Sequence, residues 1–131
     1  FSHDNRDLFE AGLHRIVNGI CAAQGICADV EYTRNYPPLV NSAEETEIAR
    51  RAAGCVVGVE NVNAAAERIM GSEDFAFMLQ ARPGNYIMVG NGADGVGGCM
   101  VHNPHYDFND EILPIGSSYW VELTRELLPV V

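Results

Sequence analysis

The sequence predicts an α/β protein, in which helices cover a β-sheet. Residues 26–36 alternate between apolar and polar side chains, a pattern typical of an antiparallel strand with one face in water. Residues 86–90, YIMVG, form a short apolar run between turn signals, which is typical of a strand covered on both faces. Longer segments with apolar residues at helical spacing predict the helices.

The first third of the chain predicts a helix, a strand and a hinge. The helix spans residues 4–24 and ends at Gly25, a residue type suited to the position after a helix. Its apolar face is formed by Phe9, Leu13, Ile16, Val17 and Ile20. Strand 26–36 follows. Pro37 and Pro38 end it because proline cannot donate a ladder hydrogen bond, and we interpret this pair as a hinge between two structural units.

Two further helices are predicted before residue 82. Ser42 and Glu45 match the capping box S-x-x-E at the start of the first, which ends at Gly58. Its apolar stripe is formed by Ile48, Ala49, Ala52, Ala53 and Val56. A short strand is a candidate at 59–62. Ser72 is a candidate N-cap for the second helix, which we expect to end near Gln80.

The C-terminal part predicts a strand, a loop and a long helix. Strand 86–90 leads into the glycine-rich segment 90–98, which lacks the GKS or GKT of a phosphate-binding loop and does not open into a helix. The last helix begins near Leu113, with Pro114 in its first turn, and runs to about Leu128. It is expected to bury Tyr119, Trp120, Leu123 and Leu127.

Composition excludes several classes of partner. The 131 residues suffice for one domain, and they carry 8 Lys and Arg against 18 Asp and Glu, for a net charge of −10. Phosphate backbones and anionic membrane surfaces repel such a chain, so we expect neither nucleic acid nor a membrane as partner. No apolar stretch approaches a membrane span of about 20 residues, and no secretory leader is apparent, so we expect a cytoplasmic protein.

The cysteines form no CxxC pair. They are Cys21, Cys27, Cys55 and Cys99. We predict reduced, mostly buried thiols, since that is the usual state of cysteine in the cytosol. A disulfide or a cysteine metal site is the alternative.

The segment HNPHYDFND, 102–110, is the densest group of polar ligands. His102 follows an apolar pair and starts a loop, a common place for metal ligands and catalytic groups. Asp107 and Asp110 are candidate acceptors for its ring N–H. They would either orient a metal-bound imidazole or hold a loop histidine that has a purely structural role. His105 lacks the helical i, i+4 spacing of a ligand pair and is expected in solvent.

Glu73 and Asp74, after Ser72, are the second polar cluster. They match the dipole of a helix N-terminus, which is a purely structural role. The functional alternative is a helix N-terminus whose N–H groups hold a substrate carboxylate.

Three strings in order, IMGSEDFAFML, PGNYIMVGNG and MVHNPHYDFND, closely resemble the C-terminal end of the metallo-aminoacylases. This family includes hippurate hydrolases and the N-acyl-amino-acid and auxin-conjugate amidohydrolases. The N-terminal stretch from NRDLFEAGLH to NYPPLVN resembles the last helix and strand of the family's inserted lid. The resemblance implies the C-terminal part of a phosphorylase/hydrolase-like catalytic domain at 38–131, and the second half of a ferredoxin-like lid, or dimerisation, domain at 1–37.

The resemblance also implies a chemistry. Two divalent metals (Zn²⁺, Mn²⁺, Co²⁺ or Ni²⁺) activate a water that hydrolyses the amide of a small N-acyl amino acid. It assigns His102 as a metal ligand and Gly71, Ser72 and Glu73 as substrate-binding residues. The other ligands and the general-base glutamate lie upstream of the residues present, so we expect the chain to be inactive alone.

Two further hypotheses remain beside this one. A non-catalytic module could self-associate through its lid portion, using strand 26–36 as an open edge, and the family's dimerisation implies a homo-oligomer. A small acid–base enzyme could use His102 with Asp107. Because sheet neighbours would be missing, we also expect exposed apolar faces and self-association.

Overall fold

The computed structural model describes residues 2–128, whose α-helices are α1 (His3–Ala23), α2 (Ala43–Val57), α3 (Phe75–Ala81) and α4 (Leu113–Leu127). Short 3-10 turns lie at Val59–Asn61, Gly95–Gly97 and Asp110–Ile112. The chain forms two compact units. The first contains the residues up to 40 and 69–82, and the second contains 41–68 and the residues from 83 onward. The division at residue 37 into lid and catalytic portions stays a prediction.

No strand forms among residues 2–128. The strand expected at 59–62 is wrong, because Val59–Asn61 is a 3-10 turn that follows Gly58. Segments 26–36 and 86–90 carry no regular secondary structure, so the sheet of the predicted α/β class is not formed in the described part of the chain. The physical reason is that a strand exists only through hydrogen bonds to a neighbouring strand, whereas alternation shows only that a segment suits a sheet.

Helix α1 begins and ends one residue earlier than the predicted 4–24, and Gly25 follows it as expected. The Ser2 side chain accepts a hydrogen bond from the Asn5 N–H at 3.1 Å and caps the first turn. At the other end the N–H of Gly25 reaches the Ala22 oxygen at 3.2 Å, and the N–H of Ile26 reaches the Cys21 oxygen at 3.0 Å. This is a Schellman ending, which needs the positive φ of 68° at Gly25.

Polar contacts hold segment 26–40 along α1. Arg34 pairs with Glu10 and, at 2.6 Å, with Asp7, and the hydrogen bond to Glu10 is the main cause of the raised pKa of Arg34. Arg6 donates to the Tyr36 carbonyl at 3.0 Å. Such exposed ion pairs contribute little stability, so they orient the segment more than they stabilise the unit.

The apolar face of α1 is left in solvent. Phe9 is 73% exposed, Ile16 53% and Ile20 60%. With Leu13 they form a stripe at the 4, 3 and 4 residue spacing of a helix-packing face. We call Phe9, Leu13, Ile16 and Ile20 the α1 stripe. The stripe is thus an apolar surface exposed to solvent.

The core of the second unit lies where α2 packs against α4. Ala49, Ala52 and Tyr119 are buried there, and Ala53, Ile87 and Leu123 pack around them. The small side chains on α2 let the phenol of Tyr119 fill the space between the helices, and burial raises the pKa of that phenol. The predicted stripe on α2 is therefore confirmed at its two buried alanines.

The expected burial of Trp120 and Leu127 is wrong. Trp120 is 65% exposed and Leu127 is 53% exposed, although both lie in α4 as predicted. Successive residues of a helix point about 100° apart, so only the face that carries Tyr119 meets α2. The other face of α4 has no covering element within residues 2–128.

Side chains at the start of α2 hold the segment 84–86. Ser42 is the N-cap residue, as predicted, but it makes no capping hydrogen bond within its own helix. Its hydroxyl accepts from the Gly84 N–H at 3.1 Å, so the expected capping box with Glu45 is not formed. The Asn41 amide binds Tyr86 twice, accepting from its N–H and donating to its carbonyl, each at 2.9 Å. Polar side chains thus bond this segment where a strand neighbour would.

The sulfur-containing side chains are mostly accessible. All four cysteines are free, Cys27 and Cys55 are exposed, and Cys21 and Cys99 are partly buried, so the prediction of mostly buried thiols is wrong. The reason is the small core, since the buried hydrophobic side chains in the described chain are, apart from Pro37, three alanines and a tyrosine. The methionines, Met70, Met78, Met88 and Met100, are all exposed. Within residues 2–128 no helix combines the length and apolar character that a bilayer span requires.

Candidate functional site

The HNPHYDFND segment folds as a loop of tight turns organised by Asn103. The Asn103 N–H donates to the Met100 carbonyl at 3.2 Å, and its own carbonyl accepts from the Tyr106 N–H at 2.9 Å. Its side-chain oxygen accepts from the His105 N–H at 2.9 Å. These bonds fix a turn on either side of Pro104, so the loop expected here is confirmed.

His102 stands at an unusual backbone position in this loop. Its φ is 68°, and among the described residues other than glycine it alone has a positive φ. This left-handed conformation costs an L-residue about 1–2 kcal/mol. The side chain is exposed. A strained residue with an exposed imidazole is a reasonable functional candidate, since such strain persists where it serves a site.

The predicted acceptors do not reach His102. Within residues 2–128 its ring makes no hydrogen bond to Asp107 or Asp110, in contrast to both sequence interpretations. The reason is the path of the loop. The Asp107 carbonyl accepts a hydrogen bond from the Asn91 side chain, and Asp110 begins a 3-10 turn that leads into α4. An acid–base pair of His102 and Asp107 therefore has no geometric support.

The donor set of the described chain does not by itself fit a metal ion. No group of three or more His, Cys, Asp or Glu side chains that could hold one comes together in residues 2–128. Protein sites for the divalent metals named above use several such ligands. His105 is exposed, as predicted.

The far end of the loop is joined to the glycine-rich loop 90–98. The Asn91 amide donates to the Asp107 carbonyl and accepts from the Asn109 N–H, each at 2.9 Å. The Asn109 side chain donates to the Asn91 carbonyl at 3.3 Å and caps the next turn by accepting from the Glu111 N–H at 3.1 Å. Sequence reasoning missed Asn91. Its place directly after the apolar run 86–90 is the signal that would have indicated it.

The second candidate group lies in the first compact unit, whereas His102 lies in the second. Ser72 is not the N-cap of α3, because the helix begins later, at Phe75. The Glu73 carboxylate instead accepts from the Phe75 N–H at 3.2 Å, which is a local end contact. Gly71 and Ser72 are exposed. Substrate binding by Gly71, Ser72 and Glu73 stays a prediction.

The second unit also contains an open trough of about 840 Å³. It runs between α2, α4 and segment 86–90, and it is mostly apolar. Its lining includes Val56, Ile87, Val89, Ile115 and Tyr119. None of the candidate site residues lines it, so the trough is a packing surface separate from the loop of His102.

Similarity to known proteins covers nearly the whole chain. Residues 8–126 match Peptidase_M20, the peptidase family M20/M25/M40. A putative amidohydrolase, YhaA, of Bacillus subtilis is 31% identical over 86% of this chain and 28% of its own length. The IAA-amino acid hydrolase ILR1-like 4 of Arabidopsis thaliana is 36% identical over 71% of this chain and 21% of its own length. The hippurate hydrolase of Campylobacter jejuni is 28% identical over 96% of this chain and 32% of its own length.

The chain thus spans between about a fifth and a third of the length of these relatives. No solved structure matches it significantly. The family match includes most of α1 and the whole loop of His102. The resemblance to amidohydrolases seen in the sequence is confirmed, and the chain belongs to the peptidase family M20/M25/M40.

Proposed function

We propose that this chain is the C-terminal portion of a metal-dependent amidohydrolase that acts on small N-acyl amino acids, with hippurate-like amides as the substrate class. The observation that carries the proposal is the family match over residues 8–126, which contains the strained and exposed His102. Relatives named for hydrolysis of hippurate and of IAA–amino acid conjugates support the substrate class.

In this proposal His102 supplies one metal ligand and the chain supplies no general base. The remaining ligands of a two-metal site, and the glutamate that takes the proton, belong to the upstream part of the complete enzyme. The isolated chain is therefore inactive. Residues 1–37 are the second half of the lid, and 38–131 complete the catalytic domain.

The exposed apolar surfaces support an incomplete α/β domain. Met88 and Val89 of the segment 86–90 are exposed, and this segment borders the open apolar trough. A sheet built by upstream residues would cover these side chains and would give 86–90 the neighbours that a strand needs.

The test is a hybrid of two proteins. The matching third of the Campylobacter jejuni hippurate hydrolase is replaced by this chain, and hippurate hydrolysis is measured with Mn²⁺, Co²⁺ or Zn²⁺. We expect metal-dependent hydrolysis by the hybrid and none by this chain alone or by the hydrolase lacking that third. Hydrolysis by the isolated chain would refute its inactivity, and a folded hybrid that binds metal without hydrolysing N-acyl amino acids would refute the function.

A second candidate function is self-association as a non-catalytic module, and the exposed α1 stripe favours it. The route through an edge strand at 26–36 has no support, because no strand forms there. In the remaining route two copies cover each other's stripe, which buries Phe9 and Ile16 away from water.

Ile16→Lys is expected to raise the dimer dissociation constant at least about tenfold, since a buried isoleucine contributes about 1.5–3 kcal/mol. Asn18→Lys is the matched control, because it adds the same charge at an exposed position of the same helix and should leave the constant unchanged. Sedimentation velocity over a concentration series measures both. A monomer at every concentration, or equal effects of the two variants, would contradict dimerisation through the stripe.

A further inference from the structure

We infer that Asn91 is the positioning residue for the loop of His102. The two loops concerned are the glycine-rich loop 90–98 and the His102 loop 102–110. Each hydrogen bond that joins them within residues 2–128 has Asn91 as donor or acceptor. The inference rests on the proposed function only for the purpose of the His102 loop, since the geometry itself is independent of any activity.

The Asn91 side chain can hold the loop because an amide carries a donor and an acceptor on one planar group. Its Nδ2 donates to the Asp107 carbonyl, and its Oδ1 accepts from the Asn109 N–H two residues further along. One side chain thus fixes the backbone on both sides of Phe108. Neither alanine nor aspartate reproduces this pair, because alanine lacks both groups and aspartate lacks the donor.

The backbone of Asn91 is fixed as well. Its carbonyl accepts from the Asn109 side chain at 3.3 Å. On its other side lies Gly97, which is buried. A Cβ on Gly97 would stand 1.9 Å from the Asn91 carbonyl oxygen, well inside contact distance. The 3-10 turn Gly95–Gly97 therefore lies directly against the Asn91 peptide and can do so only because residue 97 is glycine.

The path from Asn91 to His102 is short and hydrogen-bonded. Asn91 fixes residues 107–109, and Asn103 fixes the turns over 100–106. Tyr106, which donates to the Asn103 carbonyl, connects the two parts. At the far end Asn109 caps the turn that leads into α4. The left-handed backbone of His102 is therefore held between Met100 and an anchor at Asn91.

The experiment uses the 131-residue chain without metal or substrate. Amide hydrogen exchange and backbone chemical shifts are followed by NMR in the parent, Asn91→Ala, Asn91→Asp and Asn41→Ala. The control at Asn41 removes an amide that binds Tyr86 in the same two-bond manner, in the same compact unit.

We expect Asn91→Ala to speed exchange of the Asn109 amide at least about tenfold, because the acceptor of the Asn109 N–H and the donor to the Asp107 carbonyl are lost together. The signals of His102 should shift, while those of Tyr119 in the core stay in place. Asn91→Asp keeps the acceptor for the Asn109 N–H and should give an intermediate exchange rate. Gly97→Ala should shift the same loop signals without removing any hydrogen-bonding side chain. It therefore provides a second test of the contact at Asn91 if Asn91→Ala does not fold.

Unchanged exchange at Asn109 and unchanged His102 signals in folded Asn91 variants would overturn the inference. Equal shifts at His102 in Asn41→Ala would also overturn it, because the effect would then be general. An inactive hybrid enzyme bears on the proposed function alone, since none of these signals depends on hydrolysis.

Discussion

His102→Gly is expected to abolish hydrolysis by the hybrid enzyme while leaving its folding stability within about 1 kcal/mol of the parent. Glycine adopts the φ of 68° at no steric cost, which relieves about 1–2 kcal/mol of strain. The greater freedom of glycine in the unfolded chain offsets about 0.5–1 kcal/mol of that gain. Loss of the imidazole removes a proposed metal ligand, and we expect activity to fall by more than about 100-fold, since loss of an outer partner alone costs 10–100-fold.

The measurements are hippurate turnover, bound metal after equilibrium dialysis and the urea midpoint. His105→Ala is the control, because His105 is an exposed histidine three residues away in the same loop. It should retain turnover and bound metal. If the His102→Gly hybrid keeps its turnover, His102 is not the metal ligand. A large fall in its urea midpoint would mean that the activity was lost through unfolding and not through the loss of a ligand.

Tyr119→Ala is expected to cost about 3–5 kcal/mol, the usual loss for a large core aromatic. Tyr119 is 6% exposed and is the one large side chain in the core cluster with Ala49 and Ala52. Since small domains are stable by only about 5–15 kcal/mol, the second unit should lose at least about a fifth of its stability. Urea unfolding followed by far-UV circular dichroism measures the change.

Trp120→Ala is the matched control for that variant. It removes an aromatic side chain from the next position of α4, but that side chain is 65% exposed. We expect a loss of about 0.5–1.5 kcal/mol, because the Trp120 ring packs edge-on against Tyr119 with the ring centroids 5.4 Å apart. Comparable losses in the two variants would mean that α4 packs through both faces, contrary to the structure.

The helices could be predicted from the sequence because their signals are local. Gly25 and Gly58, the two predicted end signals, follow α1 and α2 through hydrogen bonds and backbone angles that involve only a few neighbouring residues. Similarly, the stripe of alanines on α2 follows from helical spacing alone. For these elements the sequence contains the whole physical cause.

The strands could not be predicted in the same way because their cause lies outside the segment. Residues 86–90 have the composition of a covered strand, yet in the described chain Asn41 binds the backbone of Tyr86 and Ile87 packs on the core. The prediction that Trp120 is buried was wrong for the same reason. Trp120 has a helical position suited to a core, but burial requires a second surface opposite it.

The candidate site was predictable in part. His102 stands out as the first residue of a polar loop, and the loop is present as predicted, whereas the role of His102 as a metal ligand stays a prediction. Its positive φ and the absence of a bond to Asp107 follow from turn geometry that alternation and spacing do not reveal. Asn91 acts across the 16 residues that separate it from Asp107, a distance at which sequence patterns carry no contact information.

The four exposed methionines make the chain sensitive to oxidation. Oxidants reach Met70, Met78, Met88 and Met100 directly, and each thioether would become a polar sulfoxide. On a wetted surface that change disturbs little. On a surface that the rest of the proposed amidohydrolase would cover, such as that of Met88 beside the trough, it places a polar group where an apolar contact is needed. Under the proposed function, oxidation of Met88 would therefore weaken the contact between this chain and the upstream part of the enzyme.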